Sequence, residues 1–367
     1  MKNNSDLPHL ILAIDAGASS VKVIGSLAGD AECVPFTIEP YCLEIDDQPP
    51  ANPDFDEDSV WIKLNNVTYA VGNFAVTQYD AHPSIKPAKI DTVIPKVCAA
   101  IAIFQQKFKL PREFALSVVS VLPPGEFGWK EAFIERLTLA LRKTITTPAG
   151  SMKVALRGVA IHPEGYGVMS WHRTVGVAQN RDCAVIMMGF RNTSIFFSQK
   201  GQLTNSKSSK HGFYSVLEKI ASRAGGNYAE RDLALPVWKY LIDKDESGFR
   251  RILTSIDTEA EMKMIRSAIE TAISEYRGNV EVWLRDNMKP TGLIVVCGGN
   301  AEYTFEVLKP FLERYAEDVP GLGSLVKKHI GSTSIPQSLT DTGMATRFLD
   351  IYCLWFELNN RYKNTEV

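Results

Sequence analysis

The sequence predicts a two-lobed α/β protein, and three observations carry that expectation. The chain has 367 residues, more than the roughly 250–300 at which a single hydrophobic core stops growing. An apolar strand, a short polar turn and a second strand occur near the start of each half, which points to an internal duplication. Between and after these units, helical stripes alternate with further buried strands.

Composition narrows the function classes. Apolar residues make up 45% and charged residues 22% of the chain, the balance of a globular protein and not of a disordered one. A formal net charge of -2 gives no global electrostatic footprint for direct nucleic-acid binding. The longest apolar runs, such as Leu293 to Cys297, fall far short of the about 20 residues a membrane-spanning helix needs. Met1 to Pro8 is polar and lacks the apolar centre of a signal peptide. The six cysteines at 33, 42, 98, 183, 297 and 353 form no CxxC pair or zinc spacing. Reduced core thiols in a cytoplasmic protein are the plain expectation.

In the first half, Leu10-Ile11-Leu12-Ala13-Ile14 reads as a buried strand that stops at Asp15-Ala16-Gly17-Ala18-Ser19-Ser20. Val21 to Ile24 follows as its hairpin partner. Residues from about 30 to 90 change character, with Pro49-Pro50, the acidic run Asp54 to Asp58, and short strand candidates at Ser59 to Leu64 and Val67 to Val71. That shift predicts an inserted subdomain. The acidic run lacks the Gly and terminal Glu of a calcium loop, so it reads as a solvated loop. Val97, Ile101, Phe104 and Phe108 then recur at helical spacing. Ala115 to Leu122 is a buried strand, and Phe133, Ile134, Leu137 and Leu141 mark the next amphipathic helix.

The second half opens with the strand Cys183 to Met188, halted by Gly189-Phe190-Arg191-Asn192-Thr193-Ser194, after which Ile195-Phe196-Phe197 resumes as strand. Phe213, Val216, Leu217, Ile220, Ala221 and Ala224 form a helical stripe ending at Gly225-Gly226. Ile265, Ala268, Ile269, Ala272, Ile273 and Tyr276 form another, and Leu293 to Cys297 runs into Gly298-Gly299-Asn300-Ala301-Glu302. Met344, Phe348, Ile351 and Trp355 make a closing helix.

The chemistry lies in the polar turns. A turn of small residues lets backbone N–H groups approach phosphate oxygens. Hydroxyls add hydrogen bonds, a lysine supplies charge, and a carboxylate can hold Mg²⁺ through its water shell. Asp15 to Lys22 offers all of these in eight residues, although a strand ending in Asp-x-Gly is also compatible with a plain hairpin turn. The six histidines show no paired spacing, so no direct metal cage is expected.

Taken in order along the chain, these motifs resemble those of the actin, sugar kinase and Hsp70 superfamily. The likeness implies an α/β, two-lobed, actin-like (ribonuclease-H-like) fold with a nucleotide cleft between the lobes. Asp15 to Lys22 resembles the first phosphate hairpin, with Gly17, Ala18, Ser19, Ser20 and Lys22 on phosphate and Asp15 on Mg²⁺ through water. Ile161-His162-Pro163-Glu164-Gly165 resembles the segment that positions the attacking water, which makes Glu164 the implied catalytic residue; its alternative is a surface turn. Gly189 to Ser194 resembles the second phosphate hairpin, implying phosphate contacts from Gly189, Asn192 and Thr193. Arg191 either reaches phosphate or covers the turn. Val296 to Glu302 resembles the adenosine turn, with Gly298, Gly299, Asn300 and Glu302 on the nucleoside, and the helix after Lys210-His211-Gly212 sits where the nucleoside is clasped. The implied layout is lobe I over 1–175 with an insertion at about 30–90, lobe II over 176–335, and a C-terminal helix over 336–367 returning to lobe I.

The second hairpin departs from the family pattern. Its usual leading Asp is Met187 here, and the later acidic position is Ser194, so slow hydrolysis is expected. Length, the small early insertion, Pro163-Glu164-Gly165 and Asp341-Thr342-Gly343-Met344-Ala345 resemble the ParM-like bacterial actins most closely. That resemblance implies a cytoplasmic filament for plasmid segregation or a cytoskeleton, built head to tail from copies of the chain, binding ATP or GTP with Mg²⁺ and hydrolysing it slowly. A small DNA-binding adaptor is its implied partner, with no direct nucleic-acid contact. Two alternatives stay open: a nucleotide-locked regulator or scaffold that does not polymerise, and a small-molecule kinase of the same superfamily.

Overall fold

The computed structural model describes residues 7–46, 49, 58–81, 88–174, 181–200, 202–226, 228–321 and 345–363. Residues 1–6, Pro50, most of the acidic run (54–57), the stretch 341–344 and the expected boundaries at 175/176 and 335/336 lie outside the described residues. The chain divides into two compact units, one of residues 1–171 and 332–367, the other of residues 172–331.

The first unit is organised by β1 (His9–Ala16), whose central residues Leu10 to Ile14 are fully buried. It pairs antiparallel with β2 (Val21–Leu27) and parallel with β7 (Glu113–Leu122), which in turn runs parallel to β9 (Gly150–Pro163). With β3 (Val34–Ile38), β4 (Cys42–Ile45), β5 (Ser59–Leu64), β6 (Val67–Gly72) and β8 (Ile145–Thr147), these form a nine-stranded sheet in the order β3-β2-β1-β7-β9-β8-β5-β6-β4. Strand β2 runs past Ile24 because Gly25 has no side chain: a Cβ there would meet the Phe104 ring within 3 Å or less.

Period-two alternation gives the sheet two apolar faces. Leu10, Leu12 and Ile14 join a core with Val97, Ile101 and Phe104 of α2 (Lys89–Lys107) and Phe133, Leu137 and Leu141 of α3 (Lys130–Leu141). Helix α2 begins well before the stripe that marks it in sequence, continuing through Pro95 because Ile90 and Val93 extend the same buried face. The other face takes the C-terminal helix, which packs on β1, β2 and β7. There the Trp355 indole N–H donates to the Ser26 hydroxyl at 3.0 Å. Asn359 ties the same helix to the β2–β3 turn, accepting from the Gly29 amide and donating to the Asp30 carbonyl. Strands β4 to β6 and α1 (Asn73–Tyr79), drawn from the Pro- and Asp-rich stretch, enclose a small core of their own around Trp61 and Phe74. Helix α4 (Tyr166–Thr174) follows β9 directly.

The second unit repeats the scheme. Strand β10 (Cys183–Met188) pairs antiparallel with β11 (Thr193–Gln199) and parallel with β13 (Thr291–Cys297). With β12 (Gln202–Ser208) and β14 (Ala316–Asp318), the order is β12-β11-β10-β13-β14. This matches β3-β2-β1-β7-β9 in order, and its pairings match in sense. The repeated strand–turn–strand pattern of the sequence is thus a structural repeat. Its core joins β10 and β13 to α5 (Phe213–Arg223), α6 (Glu230–Asp243), α7 (Thr258–Asn287) and α8 (Ala301–Leu312). The stripe of α5 stops at Arg223, and Gly225 follows with φ +75°, the left-handed exit that a glycine allows. The last element is α9 (Ala345–Lys363), the C-terminal helix of the first unit.

Candidate functional site

In the first unit, Asp15 is the next-to-last residue of β1 and Lys22 the second of β2, and the two are directly opposed across the hairpin. Such cross-strand partners stand on one face of the sheet, and here they form an ion pair, Lys22 Nζ to Asp15 Oδ2 at 2.5 Å. Between them Gly17, Ala18 and Ser19 are half-buried at the tip and Ser20 is buried.

A residue that sequence reasoning missed completes the arrangement. Lys89, in the first turn of α2, donates from Nζ to Asp15 Oδ1 at 2.5 Å and to Glu164 Oε1 at 3.1 Å. Its side chain is only 4% exposed, so it is a buried cation held by two carboxylates. Its backbone amide is fixed as well, donating to the Glu126 carboxylate at 2.7 Å. The signal lay in its position. A lysine at the start of a helix opposes the helix dipole, which favours anions there, so another group has to compensate it.

Glu164 is held by its backbone, whose amide donates to the Leu122 carbonyl at 2.9 Å. The following residues are capped by a second group that sequence reasoning missed, Asp350 of α9. Its carboxylate accepts from the Gly165 amide at 2.7 Å and the Val168 amide at 3.2 Å. Gly167 lets α9 come this close, since a Cβ at that position would overlap the Asp350 carbonyl oxygen. The sequence signal was an acid placed inside the apolar run Phe348 to Trp355.

The electrostatics follow from this crowding. Burial works to raise Asp15, but Lys22 and Lys89 outweigh it and hold the carboxyl well below the usual range. Burial likewise works to lower Lys89, and Asp15 and Glu164 overcome it and push the ammonium up. Burial raises Glu164, the nearby Asp15 charge adds to that, and Lys89 only partly offsets it. Burial raises Asp350 to about 7 against its two N–H donors. About two turns along α2, Lys96 is lowered by burial to about 8, with the charge of Lys89 acting in the same direction.

As arranged, these residues do not fit a magnesium ion coordinated directly by Asp15. Both oxygens of that carboxylate are engaged by ammonium groups, and Lys89 also engages Glu164. Among the described residues no group of three or more His, Cys, Asp or Glu could hold a metal.

In the second unit, the turn between β10 and β11 is closed by the Gly189 amide donating to the Asn192 carbonyl at 2.9 Å. The Asn192 side chain donates to the Ser208 hydroxyl at 3.0 Å, and Arg191 is half-buried. The start of α5 is fastened to this turn, Phe213 N to Gly189 O at 3.3 Å and Tyr214 N to Phe190 O at 2.8 Å. The Thr193 hydroxyl is buried and donates to the His211 carbonyl at 2.7 Å. Its side chain serves the hairpin itself, and its carbonyl accepts from the Ser209 amide at 2.9 Å and the Ser209 hydroxyl at 3.1 Å.

The turn after β13 is joined to the same hairpin. Gly298 adopts φ +96°, and a Cβ there would overlap the Met188 carbonyl oxygen, so only glycine satisfies both the dihedral and the close approach. Asn300 is 4% exposed, its amide N–H₂ donates to the Gly189 carbonyl at 2.7 Å, and its backbone amide reaches Met188 O at 3.1 Å. The Asn300 side chain therefore positions the second hairpin against this turn. Gly299 and Glu302 flank it, both half-buried. Met187 lies with its sulfur 3.8 Å from Cys297 Sγ, and Ser194 shares a hydrogen bond with Ser208 at 2.9 Å. The second hairpin presents amides and an arginine, whereas the first presents a carboxylate held by two ammonium groups. Asp15, Gly17, Ala18, Ser19, Ser20, Lys22 and Glu164 are thus gathered in one unit, and Gly189, Arg191, Asn192, Thr193, Gly298, Gly299, Asn300 and Glu302 in the other.

No family model matches the chain, and no curated protein sequence matches it. Solved structures do. The apo ParM protein of pSK41 aligns over 97% of this chain and 99% of its own at 16% identity, with a TM-score of 0.57. An archaeal actin homologue aligns over 96% and 99% at 15% identity, with a TM-score of 0.60. ParM of Bacillus thuringiensis, solved with ATP, aligns over 96% and 100% at 15% identity, with a TM-score of 0.58. The chain has the actin-like fold of these proteins, end to end.

Proposed function

We propose that the protein is a nucleotide-dependent, actin-like filament former that binds ATP or GTP and hydrolyses it slowly, in the cytoplasm, as a plasmid-segregation or cytoskeletal element. The observation that carries this reading is the repeated hairpin. In both units a tight polar turn joins the first two strands of the same strand order, in a chain that follows the ParM fold throughout. One such structure contains ATP.

On this reading the backbone amides of Gly17 to Ser20 and of Phe190 to Asn192 receive phosphate oxygens, and the Lys22 ammonium supplies charge. Arg191 adds a second cation beside its turn. The turn at Gly298 and Gly299, with Glu302, takes the nucleoside. Glu164 orients the attacking water, a role in which a positioned group contributes roughly 10²–10⁴-fold. Its ion pair with Lys89 and the exchange of acids for Met187 and Ser194 make that step slow. The fold resemblance brings Mg²⁺ with the nucleotide, but the Asp15 donor set does not fit direct coordination of the ion, and no step is assigned to it. The partner is a second copy of the chain, added head to tail so that the contact does not close, with a small DNA-binding adaptor as the cargo link.

Right-angle light scattering and pelleting with ATP, GTP, ADP and a non-hydrolysable analogue test this directly. A nucleotide-dependent rise with pelletable polymer is expected, with phosphate release lagging behind it. Flat scattering alongside measured nucleotide binding overturns the filament. It would favour a nucleotide-locked regulator, the second reading, which the engagement of Glu164 by Lys89 supports on its own account.

A further inference from the structure

A divalent ion that accompanies a nucleoside triphosphate has two tasks: it neutralises phosphate oxygens, and it links them to protein carboxylates through its waters. In the first unit both tasks have a resident candidate. The Lys89 ammonium lies where a carboxylate from the end of β1 and one from the turn after β9 converge, 2.5 Å from Asp15 and 3.1 Å from Glu164. A lysine ammonium has three donors, and these two contacts leave a third for another acceptor. Lys22 takes the remaining oxygen of Asp15.

This cation is not a surface side chain that swings away at little cost. Lys89 is 6% exposed as a residue, it starts a helix whose next turns are buried, and its amide is bound by Glu126. Coordinating Mg²⁺ directly to Asp15 and Glu164 would require the ammonium to leave both carboxylates while staying buried, and an unpaired buried charge is heavily penalised. Leaving it in place would set a dication against a monocation at close range in a poorly solvated site. Lys22 and Lys89 both hold Asp15, so a phosphate oxygen arriving at this hairpin meets two ammonium groups.

We infer that Lys89 stands in for the magnesium ion, and that this site takes a metal-free nucleoside polyphosphate whose phosphates meet the ammonium groups of Lys89 and Lys22. The inference rests on the nucleotide-binding reading above, and the measurement separates the two. Isothermal titration of the full chain with ATP, and with GTP, is run in a magnesium buffer and again in EDTA. Affinity in EDTA within about tenfold of that in magnesium is the expected result. A loss of about tenfold or more in EDTA, with binding intact in magnesium, overturns the inference and leaves nucleotide binding standing. No binding of either nucleotide in either buffer overturns both.

Lys89→Met supplies a second arm, with its folding checked by circular dichroism. Binding in EDTA should fall by at least about tenfold and be restored by magnesium, because removing the ammonium releases two carboxylates to the ion. Unchanged binding in EDTA by the folded variant overturns the role of Lys89. If the variant does not fold, the wild-type comparison decides the question alone.

Discussion

The carboxylate of Asp350, on the last helix of the chain, accepts the backbone amide of Gly165 at 2.7 Å and so fixes the turn that begins with Glu164. The two residues are 185 positions apart in sequence. A group near the C-terminus thus sets the geometry of the candidate catalytic residue.

That contact makes stability depend on pH with a definite sign. The Asp350 carboxyl is raised by burial from 3.8 to about 7, so the folded state holds its proton where the unfolded state has released it. Its contribution is therefore complete below pH 3.8 and is lost as pH rises through about 7, worth at most about 4 kcal/mol. Half-buried His9 and His162 are shifted down by desolvation and act in the opposite direction below pH 6.5. The clean measurement is the difference between wild type and Asp350→Asn in denaturant unfolding from pH 4 to pH 8. The wild-type curve should decline relative to the variant over that range; parallel curves would remove Asp350 from the account.

Glu164→Gln should slow phosphate release by roughly 10²–10⁴-fold, with ATP affinity changed by less than about tenfold. A comparable loss in affinity would place Glu164 in ligand binding and take it out of the hydrolytic step. Phosphate release at the wild-type rate would remove it from both.

Asn300→Asp should destabilise the protein more than Asn300→Ala. The alanine loses the hydrogen bond to Gly189 O, at a cost of about 1–3 kcal/mol. The aspartate sets a buried carboxylate against that same carbonyl. Guanidinium midpoints in the reverse order would show that Asn300 does not hold the hairpin.

Gly298→Ala combines two penalties, a left-handed dihedral and an overlap with the Met188 carbonyl. The strain alone is worth about 1–3 kcal/mol, and the overlap adds to it. A drop in melting temperature with loss of nucleotide binding is expected, whereas a variant with the wild-type midpoint would mean that the turn can relax.

Much of the fold was legible because its strands and helices announce themselves locally. The strand at Ser59 to Leu64 appears at those boundaries, since alternation and flanking turn residues are properties of neighbouring positions. Lys89 was invisible for the opposite reason. Its meaning lies in Asp15 and Glu164, each more than 70 positions away, and no local period encodes such a meeting. Thr193 and Asn300 show a subtler limit. Their residue types suit ligand contact, yet burial commits their side chains to His211 and Gly189. Only the packing of α5 and α8 decides which use prevails.

The C-terminal helix also bears on synthesis. The first unit lacks α9 until Ala345 onward has been made, 174 residues after Trp171 (345 minus 171). At typical elongation rates that interval is on the order of ten seconds or more. Throughout it, the face of β1 and β2 that receives Trp355 is uncovered, and the Gly165 amide lacks its carboxylate. The second unit is continuous in sequence and has no such delay. The nascent chain therefore has its later half complete before the half that holds the charged hairpin.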